Sequence, residues 1–342
     1  MDRNIVELMA SPKRDVGWLQ DALQSAVKLE LSTIPPYLCG YWALRDAAPV
    51  PAVDILNIAM QEMAHLGFAC NMLCATGKQP AVLADYASIT YPGGLPGGVE
   101  PKQDDELIPW DPAFRVQLGF PDFKAFALMC ARIEYPENAV PKPREAFFAA
   151  ETFTSIGEFY DAVRDAFVAN DGQFHYDTAN QRDEYLNIFK VANLDAAKKA
   201  IQLIQHQGEG GDKYPYNAEG KLSHFYTFGQ LYYRQKYKFD PATQTGEWTG
   251  DQITIPDNLI YNMTPVPLGG YNNPPQEVLD FDQAFTGVLK SLESAWSGGG
   301  SAALDDAVGA MPDLTDKAIT ILKKKLPRPG TPGIYGPQFK IV

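Results

Sequence analysis

The segment from Ala52 to Thr76 constrains this chain most. Its apolar residues fall at Ile55, Ile58, Ala59, Leu66, Ala69 and Leu73, a helical recurrence. Glu62 and His65 lie beside that stripe rather than opposite it, and at a spacing of three they leave the same helix face. A carboxylate turned toward a core is costly unless something compensates its charge, which a metal ion does. Glu-x-x-His alone also arises on ordinary amphipathic helices, as a partly buried His–Glu contact. The weight therefore falls on whether the chain supplies matching carboxylates elsewhere.

The length, 342 residues, suffices for one large domain or two ordinary ones, and 45% apolar with 21% charged residues is a globular balance. A net charge of −13 without any basic run excludes a nucleic-acid surface. The first ten residues carry no apolar core ahead of a small-residue cleavage site, and no stretch has the apolar length of a spanning helix. A cytoplasmic protein with no membrane partner is the expectation. Cys39, Cys70, Cys74 and Cys130 form no Cys-x-x-Cys, and Cys70 and Cys74 sit one helical turn apart, where disulfide geometry is poor. All four read as reduced, buried small hydrophobes.

Taken in order, Ser11-Pro12 with acidic Asp15 starts a helix in which Leu19, Leu23, Ala26, Val27 and Leu31 recur. Glu30 falls on its inward face. Pro35 and Pro36 predict a kink before the helix continues through Leu44. The short 46–51 connection makes the first two helices antiparallel neighbours, and Thr76-Gly77 ends the second. Residues 78–121, rich in Pro and Gly, form a long crossover. Helices are expected over Phe123–Ile133, Thr152–Val168, Ala196–Gly208 (capped by Asp195) and Leu222–Tyr237, with a short helical piece at Asp183–Phe189. Glu158 lies beside the greasy face of the Thr152 helix, among Ser155, Ala162 and Ala166. Beyond Phe239 the composition turns to β-favouring pieces such as Gln252–Ile255. Helices over Pro275–Trp296 and Ser301–Leu326 and an extended tail follow. Residues 1–236 read as a helical bundle carrying the site, and 237–342 as an extension that packs on it or makes subunit contacts.

Glu30, Glu62, His65, Glu158, Glu209 and His224 thus form the candidate set. A carboxylate-bridged di-metal bundle takes one Glu from each of two helices and a Glu-x-x-His from each of two others. Iron and manganese suit oxygen plus imidazole ligands. One half departs from the pattern, because Glu209 and His224 are fifteen positions apart. On an unbroken helix that is about 22 Å, so they converge only if Gly210 to Leu222 bulges out and the helix restarts on the same axis. Glu134, just before Pro136, is a reserve ligand or an acceptor behind the ligands; the alternative is a buried pair with Arg132. Tyr37, Tyr41, Tyr160 and Tyr226 read as core aromatics or as hydroxyl donors behind the ligands.

Several motifs occur in one order: Leu29-Glu30-Leu31-Ser32-Thr33-Ile34-Pro35-Pro36-Tyr37-Leu38, Glu62-Met63-Ala64-His65-Leu66 with Asn71-Met72-Leu73, Ile156-Gly157-Glu158-Phe159-Tyr160, Gln207-Gly208-Glu209-Gly210 and His224-Phe225-Tyr226-Thr227-Phe228. The series, covering roughly residues 12 to 236, resembles the ferritin-like family named after iminophenyl-pyruvate dimer synthase, also found in bacterial bis-indole pigment assembly. The resemblance implies an all-α, ferritin-like four-helix bundle with long crossover loops and a partly helical C-terminal extension. It implies two transition-metal ions, iron first with manganese or a mixed pair as alternatives. It also implies an oxidoreductase acting on a small, amino-acid-derived imine with O2 or peroxide; a homo-oligomer is compatible with it. The other readings are a metal-binding ferritin-like protein without redox turnover and a biosynthetic scaffold with a vestigial site.

Overall fold

The computed structural model describes residues 5–95, 114–136, 156–208, 215–217, 220–330 and 332–342. Glu209, the expected helix start at Thr152 and the middle of the long crossover lie outside them.

A short α1 (Ile5–Met9) leads into α2 (Val16–Leu44), whose N-cap Asp15 accepts a 3.0 Å bond from the Trp18 amide. α2 carries Pro35 and Pro36 inside one continuous helix, which the prolines do not end. Pro36 has no N–H to offer the Ser32 carbonyl four residues back, and the Tyr91 hydroxyl donates to that carbonyl instead, at 2.6 Å. α3 (Pro49–Ala75) returns along α2 as an antiparallel hairpin, the most extensive helix pairing among the described residues. α4 (Val82–Ser88) lies within the crossover, and α5 (Phe123–Ile133) is capped by Asp122. α2 and α5 approach closely at Gly40, where an added methyl would collide with the Phe126 ring.

α6 (Ile156–Ala169) and α7 (Leu194–Gly208) pair on the flank, while α8 (His224–Tyr233) packs on α5 to complete a bundle of α2, α3, α5 and α8. Asn193, not Asp195, caps α7, accepting from the Ala196 amide at 2.9 Å. The Asp183–Phe189 stretch is turns rather than helix, with Leu186 and Asn187 both at positive φ (54° and 57°). α8 stops earlier than expected because Arg234 takes a left-handed conformation. The chain then turns into an antiparallel hairpin, β1 (Gln235–Asp240) with β2 (Thr245–Gln252). Tyr237 faces Trp248 across it, and Trp248 stacks on Tyr233, so the hairpin closes the end of α8.

α9 (Gln276–Ser294), a π-helical turn (Ala295–Gly299), α10 (Gly300–Gly309) and α11 (Met311–Lys324) pack together, α9 against α4 and α11 against α2. The extended tail lays Phe339 against Trp42 and Phe281, with centroids 6.0 and 4.9 Å apart. Two further bonds tie the tail to α9: the Lys340 amide and the Gln338 side-chain amide both donate to Asp282 (3.0 and 2.6 Å). All four cysteines are free and buried. Among the described residues no helix is long and apolar enough to cross a membrane.

Candidate metal centre

Helix geometry places Glu30, Thr33 and Tyr37 along one face of α2, and Glu62 and His65 on the facing side of α3. Glu134 is the C-cap residue of α5, and His224 opens α8. These five Glu and His side chains are all buried and fall into two groups that share Glu62. Glu30, Glu62 and His65 form one; Glu62, Glu134 and His224 form the other. Within each, the candidate ligand atoms lie within 4.8 Å of one another.

The two halves mirror each other. His65 Nδ1 lies 3.5 Å from Glu30 Oε2 and 3.4 Å from Glu62 Oε1. His224 Nδ1 lies 3.0 Å from that same Glu62 oxygen and 3.4 Å from Glu134 Oε2. Each imidazole is anchored from behind: His65 Nε2 meets Gln207 Oε1 at 2.8 Å and His224 Nε2 meets Gln61 Oε1 at 2.6 Å. An amide oxygen only accepts, so both Nε2 atoms carry a proton and donate. In the neutral tautomer Nδ1 then points a lone pair into the cluster. The outer carboxylates are held in the same paired way, Glu30 by the Tyr160 hydroxyl from α6 and Glu134 by the Tyr37 hydroxyl from α2. Thr33 Oγ1 sits 2.7 Å from Glu62 Oε2 and 2.8 Å from the Glu30 carbonyl oxygen, and its single proton reaches one of them at a time.

Electrostatics follow from this packing. Burial, reinforced by the Glu62 charge, raises Glu30 and Glu134 above the usual carboxylate range. Burial alone would raise Glu62 too, but the His224 and His65 imidazoles beside it outweigh that and hold Glu62 well below that range. Burial opposes charge on the histidines, yet their carboxylate neighbours prevail, lifting His65 strongly and His224 to about 9. The buried carboxylates thus favour positive charge at the two imidazoles.

A metal ion would answer the same demand, and the residues fit one. His224 Nδ1 is buried with no hydrogen-bond partner of acceptable geometry, which is costly for a polar atom and resolved by coordination. The donor set of three carboxylates and two imidazoles, without thiolate, matches iron or manganese. A cavity of about 30 Å3, lined by Glu30, Glu62, His65, Glu134, Tyr160 and Gly208 among others, adjoins the cluster.

Of the six positions singled out in the sequence, the structure brings Glu30, Glu62, His65 and His224 together. Glu158 is not brought there. It is exposed on α6, and Tyr160, two residues on, is the side chain that this helix turns to the site. Glu209 lies outside the described residues, although a methyl on its neighbour Gly208 would stand 3.7 Å from Glu134 Oε2. Glu134 faces His224 and Tyr37 as a full member of the cluster. Tyr41 instead packs under Arg45, and Tyr226 belongs to the aromatic group around Trp248. Gln61 and Gln207 were not singled out. Their one signal is adjacency: Gln61 precedes Glu62, and Gln207 opens the Gln-Gly-Glu-Gly run.

A family model described as ferritin-like matches residues 23–233. The crystal structure of a ferritin-like protein from Caulobacter vibrioides resembles the whole chain, with a TM-score of 0.65 at 23% identity. The likeness covers 94% of this chain and 97% of that one. No curated protein matches.

Proposed function

We infer a function from one premise, that this chain belongs to the ferritin-like family: it is a non-haem di-metal protein, with iron the first choice and manganese or a mixed pair the alternatives. One observation carries the reading, the pair of buried Glu–Glu–His groups that meet at Glu62. Glu30 and His65 would hold one ion, Glu134 and His224 the other, and Glu62 would serve both. When bound, such a pair supplies redox chemistry with dioxygen or peroxide.

The chain's own residues prepare the site for that work. Gln207 and Gln61 keep each histidine in the tautomer that presents Nδ1. The Tyr160 and Tyr37 hydroxyls occupy one oxygen of Glu30 and of Glu134, leaving the other turned toward a histidine. Leu29, Ile133, Ile156 and Ile204 wall the adjoining cavity with hydrocarbon, which limits bulk water, and its volume suits a molecule the size of water or dioxygen. An oxidoreductase is the activity this arrangement supports best. The substrate class, a small imine derived from an amino acid, rests on the resemblance of the ordered motifs to the dimer-synthase family.

Anaerobic loading of metal-free protein with Fe(II) tests the proposal. Elemental analysis should find two ions per chain, anomalous scattering at the iron and manganese edges should put them beside Glu62, and admitting air should consume O2. No bound metal would overturn the whole reading. Bound metal without O2 uptake would leave a metal-binding protein and remove the oxidoreductase.

A further inference from the structure

We propose that a second cavity, between the α2–α3 hairpin and the C-terminal helices, is a binding site for a neutral apolar molecule about the size of one aromatic ring. Its volume is about 110 Å3. Leu31, Ile34 and Leu38 line it from α2, on a different face from Glu30, Thr33 and Tyr37. Met63, Leu66 and Gly67 line it from α3, each next in sequence to a site residue or one beyond. The far wall is built by residues of α9, α10 and α11, with Trp296 from the π-helical turn. The cavity and the metal cluster therefore lie on different faces of the same two-helix hairpin.

Chemistry of the lining selects the occupant. Its side chains are aliphatic, thioether and aromatic; the Tyr185 hydroxyl is already given to Asp305 at 2.7 Å, and the Trp296 indole N–H to Asn71 at 2.8 Å. Water needs two to four polar partners and finds none free here, whereas dry apolar cavities of roughly 150 Å3 take up benzene. Met63 and Met311 add soft, adaptable surface. The mouth is visible as well: Leu186 and Val308 both line the cavity and are 38% and 36% exposed. Leu186 is held there by the left-handed 186–187 turn. Beside the mouth stand Glu184 and Asp305, and nearby Arg182 is engaged by Glu184, Ser301 and the Ala179 carbonyl. A carboxylate head group would meet like charge, so a neutral molecule is favoured over a fatty acid.

The test uses the full chain and fluorobenzene, followed by 19F NMR titration. Saturable binding is expected, displaced by toluene or 1-hexanol but not by hexanoate at equal concentration. Ala307→Phe, which fills the cavity, and Val308→Trp, which closes its exposed mouth, should each weaken binding at least tenfold with the circular dichroism spectrum retained. The mouth variant keeps the question open to test if the buried one fails to fold. Glu62→Ala, which attacks the metal cluster, should leave fluorobenzene binding unchanged. No saturable binding, unchanged affinity in the folded variants, displacement by hexanoate as effective as by hexanol, or loss of binding in Glu62→Ala would each overturn the proposal.

Discussion

Glu62 is the residue on which both halves of the cluster depend, since one of its oxygens lies within 3.4 Å of both histidine Nδ1 atoms. Glu62→Ala should therefore abolish loading at both positions, while Glu30→Ala and Glu134→Ala should each leave one ion per chain, read by elemental analysis after Fe(II) reconstitution. Equal stoichiometry in all three variants would contradict a shared carboxylate. The glutamines behind the histidines make a separate prediction. Gln61→Leu and Gln207→Leu leave all five cluster residues in place but free one imidazole to rotate or change tautomer. Metal affinity should fall by roughly 10- to 100-fold at the affected position, measured by competition with a chromophoric chelator. Sequence periodicity made Glu30, Glu62 and His65 legible because each sits inside a long, regular helix beside its apolar stripe. Glu134 was harder to rank: it is the C-cap of α5, where periodicity has run out and only the nearby Pro136 marks the spot. Glu158 misled because small neighbours suggested an inward row, whereas the first turn of α6 leaves that position exposed.

At the scale of elements, the long helices were the most legible part of the fold, and the departures have local causes. α2 survives two prolines because Tyr91 satisfies the carbonyl that Pro36 abandons, a partner from the crossover loop that no local rule announces. Tyr91→Phe should leave the Ser32 carbonyl short of a donor and lower stability by about 1–2 kcal/mol, seen as a lower urea midpoint with unchanged helix content. A midpoint equal to wild type would mean that water replaces the hydroxyl. The expected helix runs on to Tyr237, into the first three residues of β1, because aromatic density masks the alternation in Gln235–Asp240. Tyr237 is buried while Lys236 and Lys238 are exposed, which is strand periodicity over a segment too short to outweigh the helix before it.

Across the whole molecule, the C-terminal helices and tail complete the core that the bundle begins. Asp282 is the polar node of that junction, and burial lifts its carboxyl to about 6 despite bonds from the Lys340 amide and Gln338. The folded pKa lies above the unfolded one, so the associated stability is fully present below about pH 4 and is lost as pH rises through about 6. Asp282→Asn should remove that component. The difference in urea midpoint between variant and wild type should shift in the variant's favour from pH 4 to pH 7; a constant difference would show that Asp282 does not titrate in this window. The junction also orders events in time. Trp42, in one of the first helices made, is covered by Phe281 and Phe339, which leave the ribosome more than two-thirds of a chain later. The α2–α3 hairpin must therefore spend most of synthesis with one greasy flank bare. Nascent chains stalled before α9 are the species on which chaperones should be found.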